Sequence, residues 1–151
     1  MSKIFLVFFC CGKSTFCRKN PNPWNEIDLA MFKAHKNPDI LTMLIKFFSR
    51  DRNLLIGGGI KSLEVVKKFK DFEYNIILPV LEMKDEIIER AAVRDGPITS
   101  KYLTKVYDEE WEALDKAPFN TKVYLKPGQY LSDIIDENGE YKPGIDVIYG
   151  K

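Results

Sequence analysis

The sequence predicts a three-layer α/β/α sandwich, in which helices cover both faces of a five-stranded parallel sheet. Two observations predict this fold class. Apolar runs typical of strands alternate along the chain with segments of helical periodicity, the order that a covered parallel sheet requires. Ligands bind at the carboxyl ends of such sheets, and four groups suited to binding fall at predicted strand ends: the loop at Gly12, Asp28, the glycine run at Gly57 and the segment after Pro79. With 151 residues, the chain has the size of one domain with a substantial core.

The elements follow from local signals. The apolar run Ile4 to Cys11 is rich in aromatic and β-branched residues and predicts the first strand. Pro38 begins a helix, Pro79 ends the fourth strand, and the turn at 95–97 (Asp-Gly-Pro) separates two helices. The remaining predicted strands cover 24–28, 53–56, 74–78 and 121–125, and the predicted helices cover 14–19, 38–48, 61–68, 82–94 and 100–114, with a last short helix ending near 136.

Composition restricts the class of protein. The chain is 45% hydrophobic and 30% charged with a net charge of +1, which argues against a broad surface for nucleic acid or membrane. Its longest apolar run is too short to span a bilayer. We expect a cytoplasmic protein, a monomer or homodimer, with one domain at residues 1–136 that includes a lid region at about 82–99, and a turn-rich tail at 137–151.

The cysteines cluster near the N-terminus. Cys10, Cys11 and Cys17 are accompanied by a single histidine, His35, so a zinc site is not expected. We expect reduced thiols. Cys10 and Cys11 have two interpretations: low-pKa thiols beside a helix N-terminus, or small residues that fill a tight turn.

The segment KIFLVFFCCGKST, residues 3–15, has the layout of a phosphate-binding loop: a strand, a turn and a helix N-terminus. Gly12 allows close approach of the main chain, and the amides that open the helix attract an anion. Lys13 adds positive charge, and the Ser14 hydroxyl suits Mg²⁺. The full motif has a glycine where this chain has Val7, so the alternative is a chance match at a strand-to-helix turn.

Two further strand ends carry candidate groups. Asp28 ends the second strand, where an acid can hold Mg²⁺ through water or accept a proton, or simply cap the next segment. The run Gly57, Gly58 and Gly59 lets a substrate approach or only turns the chain, and Lys61 follows at a predicted helix N-terminus. No acid ends this third strand.

Arg90 and Arg94 lie one helical turn apart on the predicted helix over 82–94. One interpretation is a lid that brings guanidinium charge to a transferring phosphoryl group. The other is an ordinary charged outer face of a helix.

These motifs resemble those of P-loop kinases of the nucleoside monophosphate kinase and shikimate kinase group, above all the small nucleotide-kinase-like proteins of bacteriophages. The resemblance covers about residues 3–135. The segments that carry it are FFCCGKSTF, NEIDL, IILPVLEMKDEIIERAAVR, VYDEEW and VYLKPGQYLSD, in the order of the family.

The resemblance implies a P-loop NTPase type of fold and transfer of the ATP γ-phosphoryl, with Mg²⁺, to a (deoxy)nucleoside monophosphate. It implies a nucleotide as the partner and, for a phage protein, the host cytoplasm as the location. Two alternatives remain: a nucleotide-binding protein without transferase activity, and a kinase for a non-nucleotide hydroxyl. The resemblance implies ATP binding by Gly12, Lys13, Ser14 and Thr15, Mg²⁺ binding by Ser14, contact of Asp28 with the acceptor or the metal, and stabilisation of charge by Arg90 and Arg94. It likens Gly57, Gly58 and Gly59 to substrate-binding glycines. From their positions we add Cys11 to the ATP site, Lys61 to the acceptor site, and Lys13 and Asp28 to the catalytic residues.

Overall fold

The fold is described from a computed structural model, which describes residues 2–22, 24–28, 38–57 and 74–150, without the side chains of 38–42. Within these residues the centre of the molecule is a six-stranded sheet. Its strands are β1 (Ile4–Val7), β2 (Trp24–Asp28), β3 (Asn53–Gly57), β4 (Tyr74–Pro79), β5 (Thr121–Leu125) and β6 (Ile148–Tyr149).

The strands lie side by side in the order β2-β3-β1-β4-β5-β6. Strands β1 to β5 are all parallel, which confirms the five predicted parallel strands. The sheet has one more strand than predicted, because β6 pairs antiparallel with β5. Two residues are too few for a period-two pattern, so the sequence alone does not reveal this strand.

The central strands are covered on both faces. Every residue of β1, β3 and β4 is buried, although successive side chains of a strand point to opposite faces. Such continuous burial is typical of a parallel sheet between two layers of helices, and the predicted α/β class is confirmed.

The described helices are α1 (Lys13–Lys19), α2 (Pro38–Ser49), α3 (Lys84–Asp95) and α4 (Pro97–Asp115), with 3₁₀ turns at Leu81–Met83 and Leu131–Asp133. Helix α4 begins three residues earlier than predicted, because Pro97 occupies its first turn, where a missing amide costs nothing. The last predicted helix is only the second 3₁₀ turn. The predicted helix at 61–68 lies outside the described residues. None of the described helices has the length and apolarity needed to cross a membrane.

Residues 137–150 follow the amino ends of the strands. The Trp24 indole donates to the carbonyl of Glu137 at 2.6 Å, and Lys3 Nζ donates to the carbonyl of Gly139 at 3.2 Å. The ring of Tyr141 packs edge-on against Phe5. This segment therefore lies at the amino ends of the strands, whereas the loop between β1 and α1 lies at their carboxyl ends.

Candidate functional site

The loop between β1 and α1 has a sharply turned main chain. Cys10 and Gly12 both adopt left-handed φ values, +57° and +92°. The first main-chain hydrogen bond into α1 runs from Phe16 N to Gly12 O at 2.9 Å. The amides of residues 13–15 therefore precede the helical ladder and have no acceptor inside the helix. The loop has the strand, turn and helix order predicted for it.

Gly12 is needed for its main-chain conformation and for the neighbour that covers it. A Cβ on Gly12 would lie 3.3 Å from Cδ1 of Tyr130, which belongs to the segment after β5. The carbonyl of Cys11, itself 1% exposed, accepts the amide of Leu131 at 2.8 Å. The loop is thus held by the segment after β5, and the space beside Gly12 is taken by an aromatic ring of the protein itself.

Lys13 and Ser14 converge on a single carboxylate oxygen. Lys13 Nζ lies 3.0 Å from Oε2 of Glu26, and the Ser14 hydroxyl donates to the same oxygen at 3.1 Å. The Lys13 side chain is 16% exposed, so its ammonium is held in place rather than extended into solvent. These two residues therefore form a small cluster of donors around one anionic oxygen.

Glu26 is a residue of the site that the motifs in the sequence do not single out. The signal was available, because Glu26 lies two residues before Asp28 in β2 and alternate residues of a strand share a face. Asp28 lies opposite Gly57, at the carboxyl end of the paired strands. The face of β2 that carries Glu26 and Asp28 thus brings two carboxylates to the edge of the sheet where the loop lies.

The space beside Gly57, where the sequence predicted the approach of a substrate, is filled by a side chain of the protein itself. A Cβ on Gly57 would lie 2.3 Å from Cε of Lys13. The close approach expected at this glycine is therefore made by Lys13. Gly58, Gly59 and Lys61 lie outside the described residues, so their roles stay predictions.

Arg90 of α3 joins three parts of the site. Its guanidinium donates to the carbonyl of Cys10 at 3.2 Å and to the carbonyl of Gln129 at 3.0 Å, and it pairs with Glu86. The same group lies 3.9 Å from the centroid of the Tyr130 ring, in cation–π geometry. Arg90 is 12% exposed, so it is a fixed part of the wall around the loop.

Arg94 differs from Arg90 in exposure and partners. Its side chain is 58% exposed and pairs with the adjacent Asp95 at 2.8 Å. The hydrogen bond that Arg94 donates to Asp95 raises the pKa of Arg94, burial lowers it, and the charge of Asp28 makes a smaller contribution that raises it. Arg94 is therefore the more available of the two guanidinium groups, and Asp28 is close enough for its charge to act on it.

The cysteines of the loop are not acidic thiols. Burial raises the pKa of Cys10 and, more strongly, that of Cys11, although Arg90 lowers both. Burial, followed by the charge of Glu26, raises the pKa of Cys17 to about 11. Of the two interpretations of the paired cysteines, these shifts support small residues that fill a tight turn.

A cleft of about 470 Å³ opens between the loop and α3, lined among others by Cys10, Gly12, Thr15, Arg90, Arg94 and Tyr130. Glu86 and Glu89 also line the cleft, so its wall combines cationic and anionic side chains with an aromatic ring and main-chain groups. The two guanidinium groups and the ring are the features that suit a ligand with an anionic and an apolar part. Oxygen ligands suit Mg²⁺, and the neighbouring Ser14 hydroxyl and Glu26 carboxylate are of that kind. Among the described residues no three His, Cys, Asp or Glu side chains cluster to hold a metal ion, so these two oxygens would bind Mg²⁺ only together with water and phosphate oxygens.

Fold and site together define an α/β protein with a glycine–lysine loop at the carboxyl end of its first strand. No family model and no curated protein matches the sequence. An uncharacterized protein from Eubacterium ventriosum is similar in structure at a TM-score of 0.47 and 11% identity, over 85% of this chain and 92% of that one. A shikimate kinase from Bacteroides thetaiotaomicron is similar at a TM-score of 0.43 and 14% identity, over 82% and 85%. Likenesses this distant assign neither a substrate nor a reaction.

Proposed function

We propose that the protein is a Mg²⁺- and ATP-dependent phosphotransferase whose acceptor is a small molecule, with a (deoxy)nucleoside monophosphate as the leading candidate. One observation carries this proposal. Lys13 Nζ and Ser14 Oγ converge on one carboxylate oxygen beside Gly12, at the carboxyl end of β1. An ammonium and a hydroxyl that already meet on an anionic oxygen are suited to a phosphate oxygen at the same place.

The residues of the site have distinct roles in this proposal. The amides of residues 12–15 and the Lys13 ammonium bind the phosphates of ATP, and the loop around Cys11 supports them. Ser14 and Glu26 would hold Mg²⁺, which neutralises phosphate charge when bound. Asp28 contacts the acceptor, and Arg94, exposed at the cleft, adds positive charge near the transferring group. Arg90 keeps the wall of the cleft in place.

The first test is Lys13→Ala in the full chain. We expect ADP production from Mg-ATP to be lost over a panel of nucleoside monophosphates, with an unchanged unfolding transition, because the charge that binds the phosphates is removed. Lys101→Ala, an exposed position on α4, is the matched control and should keep full activity. Turnover by Lys13→Ala equal to that of the parent chain would rule out the site.

A second candidate is a nucleotide-binding protein without transferase activity. Arg90 favours it, because this guanidinium is already bound to two carbonyls and a carboxylate of the protein and is not free to stabilise a transferring group. ATP binding measured by calorimetry, without ADP production over the whole panel, would support it over the first. Competition by small hydroxy acids, and not by nucleoside monophosphates, would instead support a kinase for a non-nucleotide hydroxyl.

A further inference from the structure

Gly57 is the last residue of β3, and the side chain of Lys13 lies directly against it. A Cβ on Gly57 would be 2.3 Å from Cε, 3.1 Å from Cδ and 3.4 Å from Nζ of Lys13. The first of these distances is far inside van der Waals contact. The lysine stem therefore occupies the volume that any other residue at position 57 would fill.

The main chain at Gly57 does not by itself require glycine. Five other described glycines have positive φ, and Gly57 is not among them, since it lies within a regular parallel ladder opposite Asp28. A strand of this kind accepts any residue with a side chain, and glycine weakens it. What glycine provides at this position is therefore space for the lysine stem.

The far end of the same side chain is held by Glu26. Lys13 Nζ lies 3.0 Å from Oε2 of Glu26, and the side chain is only 16% exposed. A lysine has four rotatable bonds, and its ammonium alone is a point charge without fixed direction. Contact of the stem with Gly57 and pairing of the ammonium with Glu26 together restrict where that charge can lie.

We propose that Gly57 is a positioning residue for Lys13: the absence of a side chain at position 57 lets the lysine stem lie on β3 and places its ammonium beside the loop. The role in phosphate binding rests on the proposed function, whereas the contact itself does not. An added methyl group at position 57 must push the stem outward and separate the ammonium from Glu26.

Two measurements on Gly57→Ala test this role in the full chain. The first is the rate at which Lys13 is acetylated by an amine-reactive ester, read by mass spectrometry against exposed Lys101 in the same molecule. We expect Lys13 to react severalfold faster in Gly57→Ala, because its ammonium leaves the contact with Glu26. An unchanged ratio of Lys13 to Lys101 labelling would overturn the proposal, whatever the protein binds.

The second measurement is a double-mutant cycle with Lys13→Ala, read as the dissociation constant for metal-free inorganic tripolyphosphate. We expect Gly57→Ala to weaken binding about tenfold or more in the parent chain, equivalent to about 1.4 kcal/mol, and to have no effect in the Lys13→Ala background. Equal weakening in both backgrounds would show that position 57 acts without Lys13 and would overturn the proposal.

The outcomes separate this proposal from the proposed function. A parent chain that does not bind tripolyphosphate contradicts the phosphate site, and the acetylation result then decides the contact between Gly57 and Lys13. If Gly57→Ala does not fold, recovery of folding in the double variant supports the contact, because shortening Lys13 frees the space. Failure of the double variant to fold overturns it.

Discussion

At the scale of single residues, two glycines of the site meet different physical needs. Gly12 has a φ of +92°, which a residue with a Cβ adopts only with strain, and the ring of Tyr130 lies beside it. Gly57 has ordinary strand geometry and is required only for the space that the Lys13 stem fills. The same residue type thus shapes the turn of the loop at one position and the place of a charge at the other.

Comparison of Gly12→Ala with Gly144→Ala separates the cost of the left-handed main-chain conformation from the cost of the contact with Tyr130. Both glycines have positive φ, +92° and +83°, but nothing lies within 4 Å of a Cβ on Gly144. We expect Gly144→Ala to lower the free energy of unfolding by about 1–2 kcal/mol, the cost of left-handed φ. Gly12→Ala should lower it further, because the Tyr130 ring must move. Urea denaturation of both variants measures the difference, and equal losses would contradict the contact.

At the scale of elements, α3 is fastened to the site through two side chains one helical turn apart, Arg90 and Glu86. Arg90 bonds to the β1–α1 loop at Cys10 and to the segment after β5 at Gln129. Its partner Glu86 also accepts the amide of Gly128 at 3.1 Å, so α3 holds that segment from two successive turns. The helix predicted to be part of a lid is therefore anchored at this point of contact with the loop.

Arg90→Ala should accordingly destabilise the fold far more than Arg94→Ala. Hydrogen bonds from a charged group contribute about 1.5–3 kcal/mol each, and we expect Arg90→Ala to lower the free energy of unfolding by about 2–3 kcal/mol. Arg94 is 58% exposed and, within the described part of the chain, pairs with its neighbour Asp95, so its removal should cost less than about 1 kcal/mol. Chemical denaturation followed by circular dichroism compares the pair, and losses in the opposite order would exclude the anchoring role.

At the scale of the whole molecule, the candidate site and the C-terminal segment lie at opposite ends of the strands. The loop, the carboxylates of β2 and the cleft lie at the carboxyl ends of the strands. At the amino ends, residues 137–150 contact β2 through Trp24 and pair with β5 through β6. Gly139 lies so close to Trp24 that a Cβ there would be 3.3 Å from the indole. The segment predicted as a tail therefore packs against the sheet far from the candidate site.

Removal of residues 137–151 should lower the free energy of unfolding, although none of these residues lines the cleft. The deletion leaves the buried Trp24 indole without its acceptor and exposes the core beside Phe5, where Tyr141 packs. We expect a loss of about 3 kcal/mol or more in the free energy of unfolding. Deletion of 146–151 alone removes β6, the packing of Val147 and the hydrogen bond of Gly150 with Asn120, but keeps the contacts of Glu137 and Tyr141, and should cost clearly less. Identical urea midpoints for the parent chain and the longer deletion would contradict this packing.

The sequence by itself determined the five parallel strands, the four described α-helices and the position of the loop, but not β6 or the 3₁₀ turn at Leu131–Asp133. Apolar runs, helical periodicity and the breaks at Pro38, Pro79 and Gly96-Pro97 are local signals in the sequence. The predicted bounds of β2, β3, β4 and β5 agree with the structure to within one residue, whereas β1 ends at Val7, earlier than the apolar run that predicts it. The placement of Gly12, Lys13 and Ser14 between a strand and a helix is local in the same sense.

Tertiary structure alone decided which groups meet. Glu26 faces Lys13 because β2 and β1 end at the same edge of the sheet with β3 between them, and Gly57 lies under the lysine for the same reason. The contacts of Arg90 with Cys10 and Gln129 and the pairing of β6 with β5 also join segments far apart in the chain. Hydrophobic periodicity specifies what each segment becomes, whereas contacts between distant segments depend on strand order and packing, which no local pattern contains.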